Sequence, residues 1–217
     1  MFRFNALKEF YLKSNLKIFP NLRLELEKAI LPCSTLLDLG CGSNSPIKYF
    51  SEKFQCIGID LYEKSINESK QKKIHNEYYQ IDVLKIEENF KPNSFDCVIA
   101  LDLIEHLTKE DGNKLISAME SIAKKKVVIF TPNGYHPQGE FDVNPWNVHK
   151  SGWTVEEMEQ KGYRVIGMNG LKYLKGEYAA PRYKPKILWY IISEITQIFV
   201  RNHPKRANQL LCVKEIL

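Results

Sequence analysis

Leu36-Leu37-Asp38-Leu39-Gly40-Cys41-Gly42-Ser43-Asn44-Ser45-Pro46 decides how this chain is read. An apolar run of strand length gives way to a turn holding two glycines, and a helix start follows at Ser45 and Pro46. Glycine at the carboxyl end of a strand lets backbone approach a ligand that a Cβ would exclude, and open α/β sheets bind ligands at such crevices. A flat or extended ligand is expected over Gly40 and Gly42. Ser45 stands where the dinucleotide fingerprint has its third glycine, which argues against a pyrophosphate ligand such as NAD.

Outward from this turn, short apolar runs recur at 35–39, 56–59, 78–81, 97–101 and 127–130, separated by segments of helix length. That pattern signals a parallel sheet buried on both faces. Thr108 with Asp111 opens a helix whose Leu115, Ile116, Met119 and Ile122 share one face, and the box Thr154 to Glu157 opens another that Gly162 closes. A sixth strand is expected at 163–168 and a last one at 209–213. Helical spacing over 3–31, interrupted at Pro20 and closed by Pro32, predicts two helices beside the sheet. The expected organisation is one domain over 1–217, with an N-terminal helical cap (1–32) and a basic helical insert (172–206) before the last strand.

Three further carboxylates stand at strand ends. Asp60, about twenty residues after the glycines, is placed to accept bonds from both hydroxyls of a ribose, although Asp there also commonly caps a helix. Asp82 closes the next strand and Asp102 the one after, so three successive strands end in Asp at one edge of the sheet.

With these pieces assembled, Leu37-Asp38-Leu39-Gly40-Cys41-Gly42, Gly58-Ile59-Asp60, Ile81-Asp82-Val83 and the run from Phe95 to Leu107 resemble the ordered motifs of class I S-adenosylmethionine (SAM)-dependent methyltransferases. The Glu105-His106-Leu107 ending resembles the branch of small-molecule enzymes that includes ubiquinone-biosynthesis methyltransferases. The resemblance spans roughly residues 33 to 170 and is specific for the cofactor rather than the acceptor. It implies a doubly wound, Rossmann-like α/β fold: a mostly parallel seven-stranded sheet with an antiparallel last strand and helices on both faces. It also implies SAM as cofactor, with Asp38, Gly40, Cys41 and Gly42 around the methionine part and Asp60 on the ribose. Leu61 would lie against the adenine, Asp82 and the Val83 amide at its edge, and Ala100 and Leu101 at the sulfonium.

A sulfonium methyl is already electrophilic, so such an enzyme mainly holds the acceptor in line in a dry site. A hydroxyl acceptor would also need its proton removed. His106, just past the fourth strand, and His149, in a polar and aromatic loop, are the catalytic candidates, although a His in either place also commonly serves as a buried structural group. Tyr135, Trp146 and His149 are candidate acceptor contacts. Trp153, directly before the capping Thr154, suits a hydrophobic staple.

Composition bounds the partners. Apolar residues make up 44% and charged residues 26% of the 217, as in soluble globular proteins. The N-terminus has no secretory pattern, and no run reaches the ~20 apolar residues of a bilayer span. Five scattered cysteines without a C-x-x-C pair suggest neither disulfides nor a zinc site, so a cytoplasmic setting and no metal are expected. The net charge of +5 is too small to imply nucleic-acid binding unless it is concentrated on one surface, and with no recognisable RNA-binding module neither DNA nor RNA is the expected partner. The insert 172–206 nevertheless carries eight basic against two acidic residues. Its helix is either a lid over an anionic or lipid-like acceptor or a contact with a membrane surface through 186–200, although such helices more often pack their apolar face on the domain. The expected partner is a small-molecule acceptor. RNA or protein docked on the basic insert, and a non-catalytic SAM-binding protein, are the alternatives.

Overall fold

The computed structural model describes residues 21–137, 148–176 and 179–216. Within it, strands β1 (Thr35–Leu39), β2 (Gln55–Asp60), β3 (Glu77–Gln80), β4 (Phe95–Leu101), β5 (Ala123–Pro132), β6 (Arg164–Leu171) and β7 (Ala207–Glu215) form one sheet in the order β3-β2-β1-β4-β5-β7-β6. The pairs from β3 to β5 are parallel, and β7 runs antiparallel between β5 and β6. This is the doubly wound sheet with an antiparallel last strand that the motifs imply. Among the described residues six α-helices accompany it: α1 (Leu22–Ile30), α2 (Glu63–Gln71), α3 (Ile86–Asn89), α4 (Lys109–Ile122), α5 (Val155–Gln160) and α6 (Lys186–Val200). The first of the two expected N-terminal helices falls outside the described residues. The second is α1, whose first turn is capped by the Asn21 side chain accepting from Leu24 N at 3.0 Å.

Strand periodicity divides the core. Leu37, Leu39, Val98, Ala100 and Val127 face α4 and α5, meeting Leu115, Met119 and Met158. Leu36, Cys97, Ile99, Val128 and Phe130 face the other way, onto Leu26 and Ile30 of α1 and onto Ile47. Side chains alternate across a strand, so a strand covered on both faces must be apolar throughout; all seven residues of β4 are buried. β5 begins four residues earlier than its apolar run. Lys125 and Lys126 carry the strand past the core to the sheet's rim, where they pair with Asp96 and Glu215.

Local signals behave as their chemistry requires. Thr154 Oγ1 accepts from Glu157 N, and Glu157 Oε2 accepts from Thr154 N at 2.8 Å, a complete capping box. Trp153 is fully buried in the same cluster as Met158, which is the staple. After the glycine turn the chain makes only a 3-10 turn, Pro46–Tyr49, rather than a full helix.

Candidate active site

Strand order reverses on either side of β1, and the crevice of an open α/β sheet lies outside the carboxyl ends of the strands at such a point. A cavity of about 480 Å³ occupies it. Gly40 and Gly42 form one wall with Cys41, at φ +62° and +56°; a Cβ on Gly40 would stand 2.7 Å from Leu103 Cδ1. This turn therefore needs glycine for its left-handed backbone, and at Gly40 the missing Cβ also leaves room for Leu103. Asp60 with Leu61, Asp82 with Val83, and Leu101 line the rest.

Asp60 ends β2 with its carboxylate directed back across the turn. Its Oδ2 accepts from Gly42 N and its Oδ1 from Tyr62 N, each at 2.8 Å. Burial pushes its pKa up, against the amides of Tyr62 and Gly42 that pull it down. Asp82 caps the short turn after β3, accepting from Leu84 N at 3.0 Å. Two of the residues selected from the motifs stand behind the cavity wall. Asp38 is 1% exposed, its Oδ2 held by Ser45 Oγ at 2.7 Å and by His75 Nε2 at 2.8 Å. Ala100 is fully buried in the core that faces α4.

A second cavity of about 810 Å³ opens beyond β4 and β5, between the residues after β5 and the insert, whose Tyr173 and Arg182 reach it. Asp102 and His106 line both cavities. Asp102 sits at φ +51° with Oδ1 accepting from Gln209 Nε2 at 3.0 Å, and His106 ends the 3-10 turn Ile104–His106.

That turn also docks the loop carrying His149. Glu105 O accepts from Lys150 N and Ser151 N, and Ile104 O accepts from Ser151 Oγ and Trp153 Nε1. The result brings the rings of His106 and His149 to 4.8 Å at 63°. His149 Nδ1 lies 2.6 Å from His136 O. A carbonyl can only accept, so Nδ1 carries the hydrogen and Nε2 keeps its lone pair. Burial pushes the His149 pKa below the ordinary value. Glu105, 2% exposed, accepts from Thr131 Oγ1 at 3.0 Å, and burial, with Asp102 nearby, raises its carboxyl well above the usual range. One ligand atom from each of Glu105, His106 and His149 falls within 4.8 Å of the others, a set able to hold a metal ion.

Of the acceptor candidates, Tyr135 stands 60% exposed at the rim of the larger cavity, its hydroxyl 3.5 Å from His149 O. Trp146 lies outside the described residues. Sequence reasoning misses Glu105 and His75. Glu105 had a signal, since it adjoins His106, but its convergence with His149 depends on a contact 44 residues away along the chain. His75 follows α2 in a polar stretch and carries no local signal.

Residues 37–131 match the family described as a methyltransferase domain. The chain is 25% identical over 185 residues to a small RNA 2'-O-methyltransferase of Tetrahymena thermophila, an alignment covering 68% of this chain but only 43% of that protein. Among solved structures, it resembles a SAM-dependent methyltransferase from Archaeoglobus fulgidus (TM-score 0.58, 19% identity, 98% of this chain and 99% of that one). It also resembles phosphoethanolamine N-methyltransferase 2 of Haemonchus contortus with SAM (TM-score 0.56, 20% identity, 94% and 55%). Residues 37–131 thus match a methyltransferase domain, and the sheet around them has the fold of solved SAM-dependent methyltransferases.

Proposed function

We propose that SAM occupies the smaller cavity and that its methyl passes, by in-line displacement, to a hydroxyl oxygen of a small acceptor held in the larger one. The observation carrying this reading is that Asp102 and His106 line both cavities, so a methyl at their junction faces the acceptor directly. Each oxygen of Asp60 keeps a second lone pair for a ribose hydroxyl. Leu61 packs on the adenine, and Asp82 with the Val83 amide meets its edge. The turn Gly40-Cys41-Gly42 holds the methionine part, Asp38 acts on it through Ser45 as a positioning residue, and Leu101, backed by Ala100, bounds the sulfonium.

A hydroxyl must shed its proton to attack, and His106 at the junction, with Glu105 and His149 beside it on the larger cavity, can arrange this. We read them as holding a divalent cation. Two imidazoles and a carboxylate form a mixed nitrogen and oxygen donor set. The bond from His149 Nδ1–H to a backbone carbonyl is the outer contact that fixes the tautomer of a ligating His. A cation there would polarise the acceptor hydroxyl and lower its pKa.

The test measures S-adenosylhomocysteine release with panels of hydroxyl, amine and carbon acceptors, before and after chelation and on adding back Mn²⁺ or Zn²⁺. Co²⁺ absorption of the SAM-bound protein is recorded alongside. Turnover should be confined to hydroxyl acceptors and lost on chelation, and Glu105→Gln should remove the Co²⁺ spectrum. Turnover untouched by chelator, with His149→Ala still costing about 10² to 10⁴ in rate, would leave histidine as a metal-free proton acceptor. Turnover confined to amines would sink the oxygen reading.

The basic insert and the similarity to the Tetrahymena protein favour a second reading, an RNA acceptor. It requires tight, steeply salt-dependent binding of short oligonucleotides and methylation of their ribose.

A further inference from the structure

Helix α6 is built inside out. The face it lays on β6 is polar: Ser193 and Gln197 are buried beside Val200, with Thr196 half-buried at the contact. Gln197 Oε1 accepts from Gly170 N at 3.0 Å and its Nε2 donates to Gly167 O at 2.9 Å. Thr196 Oγ1 accepts from Leu171 N and donates to Ser193 O. The helix approaches so closely that a Cβ on Gly170 would stand 2.4 Å from Ser193 O.

The opposite face holds Ile187, Leu188, Ile191, Ile195, Ile198 and Phe199, each between 41% and 56% exposed. Their spacing puts all six on one arc of the helix. An ordinary surface helix shows water its charges and buries its aliphatics. This one buries Ser193 and Gln197 and leaves Ile187, Ile191, Ile195 and Ile198 to water.

The surroundings of the stripe indicate what covers it. From Arg182 to Arg206 the chain has six basic residues and one acidic, Glu194. Arg182, Lys184 and Lys186 are exposed at the amino end, where Tyr183 and Trp189 pack ring to ring at 5.0 Å, and Lys205 and Arg206 are exposed at the carboxyl end. A second copy seated on the stripe would bring these like charges together. An anionic surface would be attracted to them. An apolar face bounded by cations and by amphipathic aromatics matches a helix lying in the interface of a bilayer. Among the described residues no helix is long and apolar enough to cross one.

We infer that α6 docks this protein on anionic phospholipid, its isoleucines among the acyl chains and its flanking lysines and arginines at the headgroups. Tyr173 and Arg182, from the same insert, reach the larger cavity, so docking brings an amphiphilic acceptor to the rim of that cavity.

The experiment is co-sedimentation with vesicles of phosphatidylcholine alone and of phosphatidylcholine with phosphatidylglycerol, with light scattering of the free protein. Binding is expected only to the anionic vesicles. It should weaken with salt and fall about fivefold for each of Arg182, Lys184 and Lys186 changed to Ala. Ile191→Asp combined with Ile195→Asp should abolish it while SAM binding, the check on folding, stays unchanged. A folded, SAM-binding wild-type protein that ignores anionic vesicles overturns the inference. So does a dimer in solution that the same double substitution splits, since the stripe is then a self-interface.

Discussion

His75 Nε2 lies 2.8 Å from Asp38 Oδ2, with the imidazole fully buried and the carboxylate 1% exposed. Ser45 Oγ donates to the same oxygen. The contact ties the segment after α2 to the middle of the sheet, and through Ser45 it anchors the far end of the glycine turn. The His75 ring also meets the Tyr78 ring edge-on at 5.2 Å, which connects it to β3. A carboxylate inside an α/β core persists only because partners replace its water.

Removing the imidazole leaves that carboxylate buried with one donor fewer. His75→Ala should therefore lose about 1–3 kcal/mol of stability, the cost of leaving a buried polar group short of a partner. Ser45→Ala should lose about 1 kcal/mol. Urea unfolding of the two variants measures both. An unfolding midpoint for His75→Ala indistinguishable from wild type would show that the pair anchors nothing.

Asp60 leads to a pH prediction. Burial raises its pKa above the ordinary 3.8, and its charged form is the one that accepts ribose hydroxyls. SAM affinity should therefore be level at neutral pH and decline on acidification sooner than an ordinary aspartate would produce. Asp60→Asn should bind roughly tenfold or more weakly, the scale of a hydrogen bond to a charged group, and lose this acid dependence. Calorimetric titration with SAM across pH decides it. Equal acid dependence in Asp60→Asn would assign the titration to another group.

The sheet was legible because its signals are local. The apolar runs at 36–39 and 97–101 announce strands buried on both faces, and Gly40 and Gly42 mark a left-handed turn wherever they fold. The site was legible only where a residue adjoins such a signal, as Asp60 and Asp82 do. Asp38 shows the limit: its place in the motif predicts a position at the ligand, but the parity of β1 turns it into the core, where His75 meets it. No local pattern announces that partner, nor the contact of Glu105 and His106 with His149. Helix α6 has a clear period in the sequence, but a period does not say which face turns inward. That is decided by the glycines of β6, which admit a polar face closely.

Glu25 and Arg201 join α1 to the end of α6 through a fork, Nε to Oε1 at 3.2 Å and Nη2 to Oε2 at 3.0 Å. Burial raises the Glu25 pKa, but the Arg201 guanidinium and Lys28 outweigh it and hold the group below the ordinary 4.5. The folded pKa is thus the lower one, so the pair's stabilisation is complete above the unfolded value and is lost as pH falls through the folded one. Arg201 is about one third exposed, so Glu25→Gln should cost about 1–2 kcal/mol at pH 7, between the surface and buried cases. The difference between variant and wild type should shrink as pH drops below 4.5. Thermal unfolding at a series of pH values tests this, and a difference that stayed constant with pH would mean the pair contributes through packing alone.

The inward polar face of α6 sets a last prediction. Gln197 satisfies two backbone groups of β6, the Gly170 N–H and the Gly167 carbonyl, at a point the helix shields from water. Leucine offers similar bulk and more apolar surface, so hydrophobicity alone would make Gln197→Leu stabilising. The hydrogen-bond account requires the opposite: two backbone groups left unsatisfied, each costing about 1–3 kcal/mol. The loss should be local, because α6 rests chiefly on β6. Amide exchange should therefore accelerate over 186–200 and 167–171 while the amides of β1 and β4 keep their protection. If Gln197→Leu instead slowed exchange in α6, its polar face would be incidental, and the outward turn of the isoleucines would need another cause.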